Sequence, residues 1–229
     1  MKKIFLFIAF LWISLVSFAQ DGVNFEHLSF REALDKAKSE QKYVFMDCYT
    51  SWCGPCKNMT QNVFPQKKAG DYFNPKFICV KYDMEKGEGP ELGKRFEVRA
   101  YPTFLVLDAE GRLLHKVIGS YSVDEIIERI EESFDEEKAY GSLKAKYESG
   151  NREQVFMVKY LKMLIRYYDP AMEAVAAELI NNAERPLVLV GQGVELGNAQ
   201  QELRNFIEKA GIPAGCTLLG LSALPTDHP

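Results

Sequence analysis

Two cysteines three positions apart, Cys53 and Cys56, stand where an apolar run meets a helix-like segment, and nothing else constrains the chain as strongly. The run is Tyr43-Val44-Phe45-Met46-Asp47-Cys48-Tyr49, and Trp52-Cys53-Gly54-Pro55-Cys56-Lys57 follows it closely. Cysteines at this spacing switch between dithiol and disulfide, or they form half of a metal site. A zinc site needs a second pair of Cys or His ligands. The other cysteines, Cys48, Cys79 and Cys216, are scattered, and neither His27 nor His115 has motif spacing. Cys48 and Cys79 fall in apolar strands and read as small buried apolar residues. The expectation is a redox pair, with no metal and no cofactor beyond the Cys53–Cys56 disulfide itself.

The N-terminus bears on the redox compartment. Lys2 and Lys3 precede an apolar run from Ile4 to Val16, and Ser17-Phe18-Ala19 then offers small residues at the two cleavage-determining positions. This predicts a secretory signal peptide over 1–19, cleaved after Ala19. The run is shorter than the ~20 residues that span a bilayer, which argues against a retained anchor. A periplasmic or secreted protein with no membrane contact after cleavage is expected. Disulfide-stapled secreted domains carry even numbers of widely spaced cysteines, a pattern that five cysteines with one tight pair do not fit. A net charge of −4 over 229 residues gives no reason to expect a nucleic-acid partner.

Local signals order the middle of the chain. Ser29-Phe30-Arg31-Glu32 is a capping box that opens an amphipathic helix over about 29–41. Residues 43–49 read as a central strand, because both faces are apolar. A helix runs from the cysteine pair to about Val63, limited by Pro65. Phe77 to Asp83 is a strand, Glu91 to Phe96 a short helix, Thr103 to Leu107 a strand, and Leu113 to Ile118 its hairpin partner across Asp108-Ala109-Glu110-Gly111. A second capping box, Ser122 to Glu125, launches another helix. The order predicts an α/β fold, a mixed sheet with helices on both faces.

Residues about 24–137 resemble the thioredoxin-fold family, with the domain set at 20–137. The resemblance rests on Trp-Cys-Gly-Pro-Cys-Lys at 52–57, on Asp47 six residues before the first cysteine, and on Tyr101-Pro102-Thr103 before an apolar strand. It implies a thiol–disulfide oxidoreductase that exchanges electrons with protein disulfides and an upstream donor. A non-catalytic partner-binding module is the alternative. Cys53, at a helix start, is the expected nucleophile, because unpaired N–H groups and the helix dipole favour a thiolate there. Cys56, expected to be more buried, resolves the mixed disulfide. Gly54-Pro55 fixes the bridge and, in that family, accompanies a reducing character. Asp47 reads as a buried carboxylate of raised pKa that takes the Cys56 proton. Cys79 stands where many members place a lysine that pairs with the buried acid, with Lys81 two residues on. Tyr101-Pro102 resembles the family's cis-proline, whose backbone, with Trp52, Gly54, Pro55, Tyr101 and Thr103, would meet an extended substrate strand.

Beyond this domain, residues 138–170 carry periodicity for two helices, a helical extension. From about Ala171 the character changes. Arg185-Pro186-Leu187-Val188-Leu189-Val190-Gly191-Gln192-Gly193-Val194 reads as a strand entering a glycine turn, and a helix over 199–210 follows. The apolar stretch Thr217 to Pro225 leads to Thr226-Asp227-His228-Pro229. Residues 171–229 resemble the start of the acetolactate synthase central domain, an incomplete Rossmann-like α/β fragment of a thiamine-diphosphate enzyme that can hold FAD. The parts that bind thiamine diphosphate are missing from the matched stretch, so carbon–carbon bond chemistry is not expected. An exported redox domain followed by a fragment of an intracellular enzyme predicts a chimera joined near Tyr168 to Glu173. A genuine two-domain protein is the alternative.

Overall fold

A computed structural model of the protein describes residues 22–224. The predicted signal peptide, and the terminal Thr226 to Pro229, lie outside the described residues. The described chain divides into two compact units, with the break after Met172.

The first unit is built on a five-stranded mixed sheet in the order β1-β3-β2-β4-β5. The strands are β1 (Phe25–Glu26), β2 (Tyr43–Tyr49), β3 (Phe77–Asp83), β4 (Thr103–Leu107) and β5 (Leu113–Ile118). Strand β2 is central, parallel to β3 and antiparallel to β4. Alternation along β2 sends Val44, Met46 and Cys48 to one face and Phe45 to the other. The first face packs on α1 (Phe30–Glu40) and α4 (Gly89–Arg95) through Phe30, Ala33, Ala37 and Leu92. The second packs on α2 (Gly54–Asn58), α3 (Lys67–Lys76) and α5 (Val123–Glu131), where Phe45, Phe64, Phe73, Phe77 and Phe104 form an aromatic core. Burying each of these rings contributes about 1.5–3 kcal/mol. Asp47, two residues beyond Phe45, belongs to that second face, under α2.

Both capping boxes form, at Ser29/Glu32 and Ser122/Glu125. Helix α2 continues as a π-helical turn over Met59–Val63. Two elements lack a local signal. Strand β1 has two residues. Helix α3 contains Gly70 and Pro75, both poor helix formers. Its helix is stabilised from outside: Phe73 packs 4.5 Å from Phe45 between ring centroids, and a side chain at Gly70 would strike the Gly22 backbone.

The extension is two helices, α6 (Tyr140–Glu148) and α7 (Gln154–Arg166). The first turn of α6 presses on the β5 backbone, and a Cβ at Gly141 would lie 2.5 Å from Leu113 O. Polar contacts join them. Tyr140 N donates to His115 Nδ1 at 3.2 Å, and the Tyr167 hydroxyl lies 3.4 Å from His115 Nε2. Tyr140 Oη donates to Asp169 Oδ2 at 2.6 Å, and Asp169 Oδ1 accepts from Ala171 N at 2.9 Å. Lys116, only 1% exposed, donates to Phe96 O at 2.9 Å and lies 5.4 Å from the Tyr140 ring centroid.

The second unit contains α8 (Met172–Asn181, whose first residue falls before the break), β6 (Val188–Val190), α9 (Gly193–Leu196), α10 (Gln200–Ala210) and β7 (Ala214–Cys216). Strands β6 and β7 pair in parallel, Val188 with Ala214 through Val190 with Cys216. The second strand thus precedes the longest apolar stretch, in which Leu218–Ala223 forms a 3-10 helix. Thr217 N donates to Val190 O at 2.8 Å, and Gly220 packs on the same carbonyl, which turns the chain across the end of β6. Leu187, Leu189, Leu196, Leu218 and Leu219 are exposed. Among the described residues no helix is long and apolar enough to cross a membrane.

Candidate redox site

The site sits where β2 ends and α2 begins. Cys53 is the N-cap of α2, with extended backbone, and Pro55 occupies its first turn, where a missing N–H costs no intrahelical bond. Cys53 N donates to Thr50 O at 3.2 Å, and Cys53 Sγ accepts from Cys56 N at 3.1 Å. One helix-start N–H, that of Cys56, therefore points at this sulfur, an arrangement that favours a thiolate once the pair is reduced. Cys53 and Cys56 form a disulfide. Cys56 is no more buried than Cys53, at 4% against 3% exposed, contrary to the sequence expectation.

Asp47 is 2% exposed, and its Oδ1 has no hydrogen-bond partner. Burial pushes its carboxyl pKa up to about 7, and the Lys81 ammonium pulls the other way. In the sheet register Asp47 lies opposite Lys81, whereas Cys79 lies opposite Phe45. Lys81 is thus the cation next to the buried acid, and Cys79 joins the aromatic core. Strand register decides which side chains meet, and it sets Lys81 rather than Cys79 beside the acid.

Behind the disulfide a cavity of about 180 Å³ is lined by Thr50, Cys56 and Lys81, with Tyr49, Thr60 and Gln61 around them. Cys56 borders this cavity, whereas Cys48 and Cys79 are enclosed in the core, where burial raises both of their thiol pKa values.

On the outer side, Trp52 is 65% exposed. Its Nε1 donates to Glu85 Oε1 at 3.0 Å, and its ring meets Tyr101 edge-on at 6.0 Å. Glu85 has no motif in the sequence; its distance from Trp52 is bridged only by the fold. The Tyr101–Pro102 bond is cis, and Pro102 O accepts from Gly119 N at 3.0 Å. Gly54 and Pro55 are exposed beside the sulfurs, Tyr101 is half-buried and Pro102 is buried. Thr103 is fully buried, like the rest of β4, and its hydroxyl donates to Ala100 O at 2.7 Å, which leaves its main chain to face a partner. Among the described residues no three His, Cys, Asp or Glu side chains gather as a metal cluster.

Residues 30–134 match the thioredoxin-like domain family, and residues 174–229 match the central domain of thiamine pyrophosphate enzymes. Thioredoxin-1 of Drosophila melanogaster is 37% identical over 75 residues, 33% of this chain and 65% of its own length. Mitochondrial thioredoxin-3 of Saccharomyces cerevisiae is 41% identical over 83 residues, 36% of this chain and 59% of its own. The chain thus spans less than two thirds of the length of these curated relatives. The solution structure of a proposed disulphide-isomerase from Bacteroides thetaiotaomicron is 43% identical, with a TM-score of 0.47, covering 50% of this chain and 95% of that one.

Proposed function

Residues 30–134 form a thioredoxin-like domain, and from that premise we propose that the protein is an exported thiol–disulfide oxidoreductase acting on protein disulfides. The observation that carries the reading is the Cys53–Cys56 disulfide at the N-terminus of α2, with the buried Asp47 on the strand that leads into it.

In the reduced protein the Cys53 thiolate attacks one sulfur of a substrate disulfide and expels the other as a thiolate, which leaves a mixed disulfide on Cys53. Cys56 loses its proton to Asp47, whose pKa near 7 lets it accept and return protons at neutral pH. The Cys56 thiolate attacks Cys53 Sγ, releases the second substrate thiol and forms the intramolecular disulfide. Two electrons pass from the dithiol to the substrate, and a thiol donor upstream restores the dithiol. Trp52, Tyr101 and the Gly54-Pro55 surface receive the substrate chain, and the backbone at the cis Pro102 pairs with it. Thr103 contributes main chain only.

Export rests on Lys2, Lys3, the apolar run 4–16 and Ser17-Phe18-Ala19. N-terminal sequencing of the protein recovered from the exported fraction is expected to begin at Gln20. A start at Met1 would overturn this part.

Residues 173–229 have no part in the redox reading, and we assign them to a join between unrelated genes near residue 170. Sequencing the native transcript across residues 160–180 tests this. A single uninterrupted transcript in the source genome would favour a genuine two-domain protein.

The chemical test uses single cysteine variants. Cys53→Ser is expected to abolish insulin-disulfide reduction, and Cys56→Ser to accumulate mixed disulfides visible on non-reducing gels. Full activity in Cys53→Ser would sink the proposal. A pair that mild thiols cannot reduce, with no trapped substrate, would favour the binding-module reading.

A further inference from the structure

We propose that the Thr50 hydroxyl, with water in the cavity behind Cys56, conducts the proton between Cys56 and Asp47. This rests on the dithiol exchange described above and assigns a residue to its resolving step.

Thr50 follows β2 directly and is 1% exposed, yet its Oγ1 has no hydrogen-bond partner. Leaving a buried hydroxyl unpaired is destabilising. Local capping does not account for it, because the bond that Thr50 makes to the cysteine loop uses its main-chain oxygen, which accepts from Cys53 N. The side chain instead lines the cavity shared with Cys56 and Lys81. Lys81 in turn lies opposite Asp47 in the sheet, and Asp47 Oδ1 is the other buried oxygen without a partner at this end of β2. A volume of about 180 Å³ has room for water, and the Thr50 and Thr60 hydroxyls and the Lys81 ammonium are among the groups that line it. A hydroxyl donates one hydrogen bond while accepting others, which suits it to pass a proton on.

In the resolving step Cys56 gives up its S–H proton towards the cavity, Thr50 Oγ1 accepts a proton from that side while releasing its own towards Asp47, and Asp47 is protonated. The net change is one proton moved from Cys56 to Asp47, with Thr50 unchanged. Thr50 never bonds to sulfur and is a positioning residue.

The test compares Thr50→Val, which keeps the shape, with Thr50→Ser, which keeps the hydroxyl. Two readouts are followed from pH 5 to 9: the rate at which a Cys53 mixed disulfide resolves, and the rate at which iodoacetamide alkylates Cys56 in a Cys53→Ala background. Thr50→Val is expected to slow resolution about tenfold at pH 7 and, because the hydroxyl's hydrogen bond through cavity water also favours the Cys56 thiolate, to move the Cys56 alkylation profile to higher pH, with Thr50→Ser restoring both. A purely structural Thr50 predicts that the valine variant is as active as the parent and at least as stable. If Thr50→Val tracks the parent in both profiles, or if Val and Ser behave alike, the inference falls. If the parent protein reduces no disulfide while the alkylation profile still responds to Thr50→Val, the exchange reading fails and the proton path stands. Circular dichroism of each variant separates misfolding from chemistry. Should Thr50→Val not fold, Thr50→Ala is carried through the same two readouts.

Discussion

Two carboxylates are buried at opposite ends of the first unit, and the fold treats them differently. Asp169, 4% exposed, has both oxygens occupied, by the Tyr140 hydroxyl and by Ala171 N. Asp47, 2% exposed, has an oxygen without a partner, as does its neighbour Thr50. The first arrangement joins a helical extension to a sheet, and pairing every atom is what makes such a polar contact worth burying. The second holds a carboxyl that the protein would be more stable without. In the proposed exchange that unpaired carboxyl is the group that takes the Cys56 proton.

The comparison can be broken most directly at Asp47. Its pKa is raised from 3.8 to about 7, so between these values the unfolded chain is ionised while the folded one holds the proton. The resulting cost is absent below pH 4, grows as pH rises and is complete above pH 7, at roughly 4 kcal/mol. Asp47→Asn is therefore expected to unfold at higher urea than the parent at pH 8, with the gain gone at pH 4, and to resolve mixed disulfides more slowly at neutral pH. A variant less stable at pH 8 would show that Asp47 is a structural partner after all.

The docking end has the opposite pH signature. Burial holds the His115 imidazole down, to about 4, with Arg166 adding to the effect; the Glu132 carboxylate at 3.8 Å does not reverse it. Between pH 6.5 and 4 the unfolded chain takes up a proton that the folded chain refuses. Stability from this group is complete above pH 6.5 and is lost as pH falls through 4, roughly 3 kcal/mol in all. Urea titrations at pH 7 and pH 4 should show this acid loss in the parent and a smaller one in His115→Gln.

Gly141→Ala tests the docking geometry without touching charge. Its new methyl would sit 2.5 Å from Leu113 O, so α6 must move off β5, at about 2 kcal/mol in thermal unfolding. Redox turnover should be unchanged, since the sulfurs lie at the other end. The smallest effect is expected from Tyr140→Phe, about 1 kcal/mol from loss of the bond to Asp169. If it lowers turnover as strongly as stability, the two ends are coupled and the contrast drawn here fails.

Much of this was legible in the sequence because its signals are local. The cysteine spacing, the two capping boxes and the Tyr101-Pro102 pair each announce themselves within six residues, and β2 could be read as central from its two apolar faces. What was not legible depends on distant partners. Helix α3 is held by Phe73 among aromatic rings against its own Gly70 and Pro75. The pairing of Lys81 rather than Cys79 with Asp47 follows from strand register. Thr103 and Trp52 flank the same site, yet only tertiary packing shows one buried and the other open. The links among His115, Lys116, Tyr140 and Asp169 span 25 to 29 residues for the two bonds to Tyr140 and have no motif at all.

That last set has a consequence for how the chain is made. Lys116 is enclosed by Phe96 O, by the Tyr140 ring and by the Tyr140–Asp169 contact beyond it. A nascent chain that has emerged as far as Ile130 already carries every strand of the sheet and each cysteine of the pair, yet the ammonium on β5 still faces water. Closure of the first unit waits for residue 169 to leave the ribosome, some forty residues after the end of α5, and until then β5 is an edge open to wrong partners.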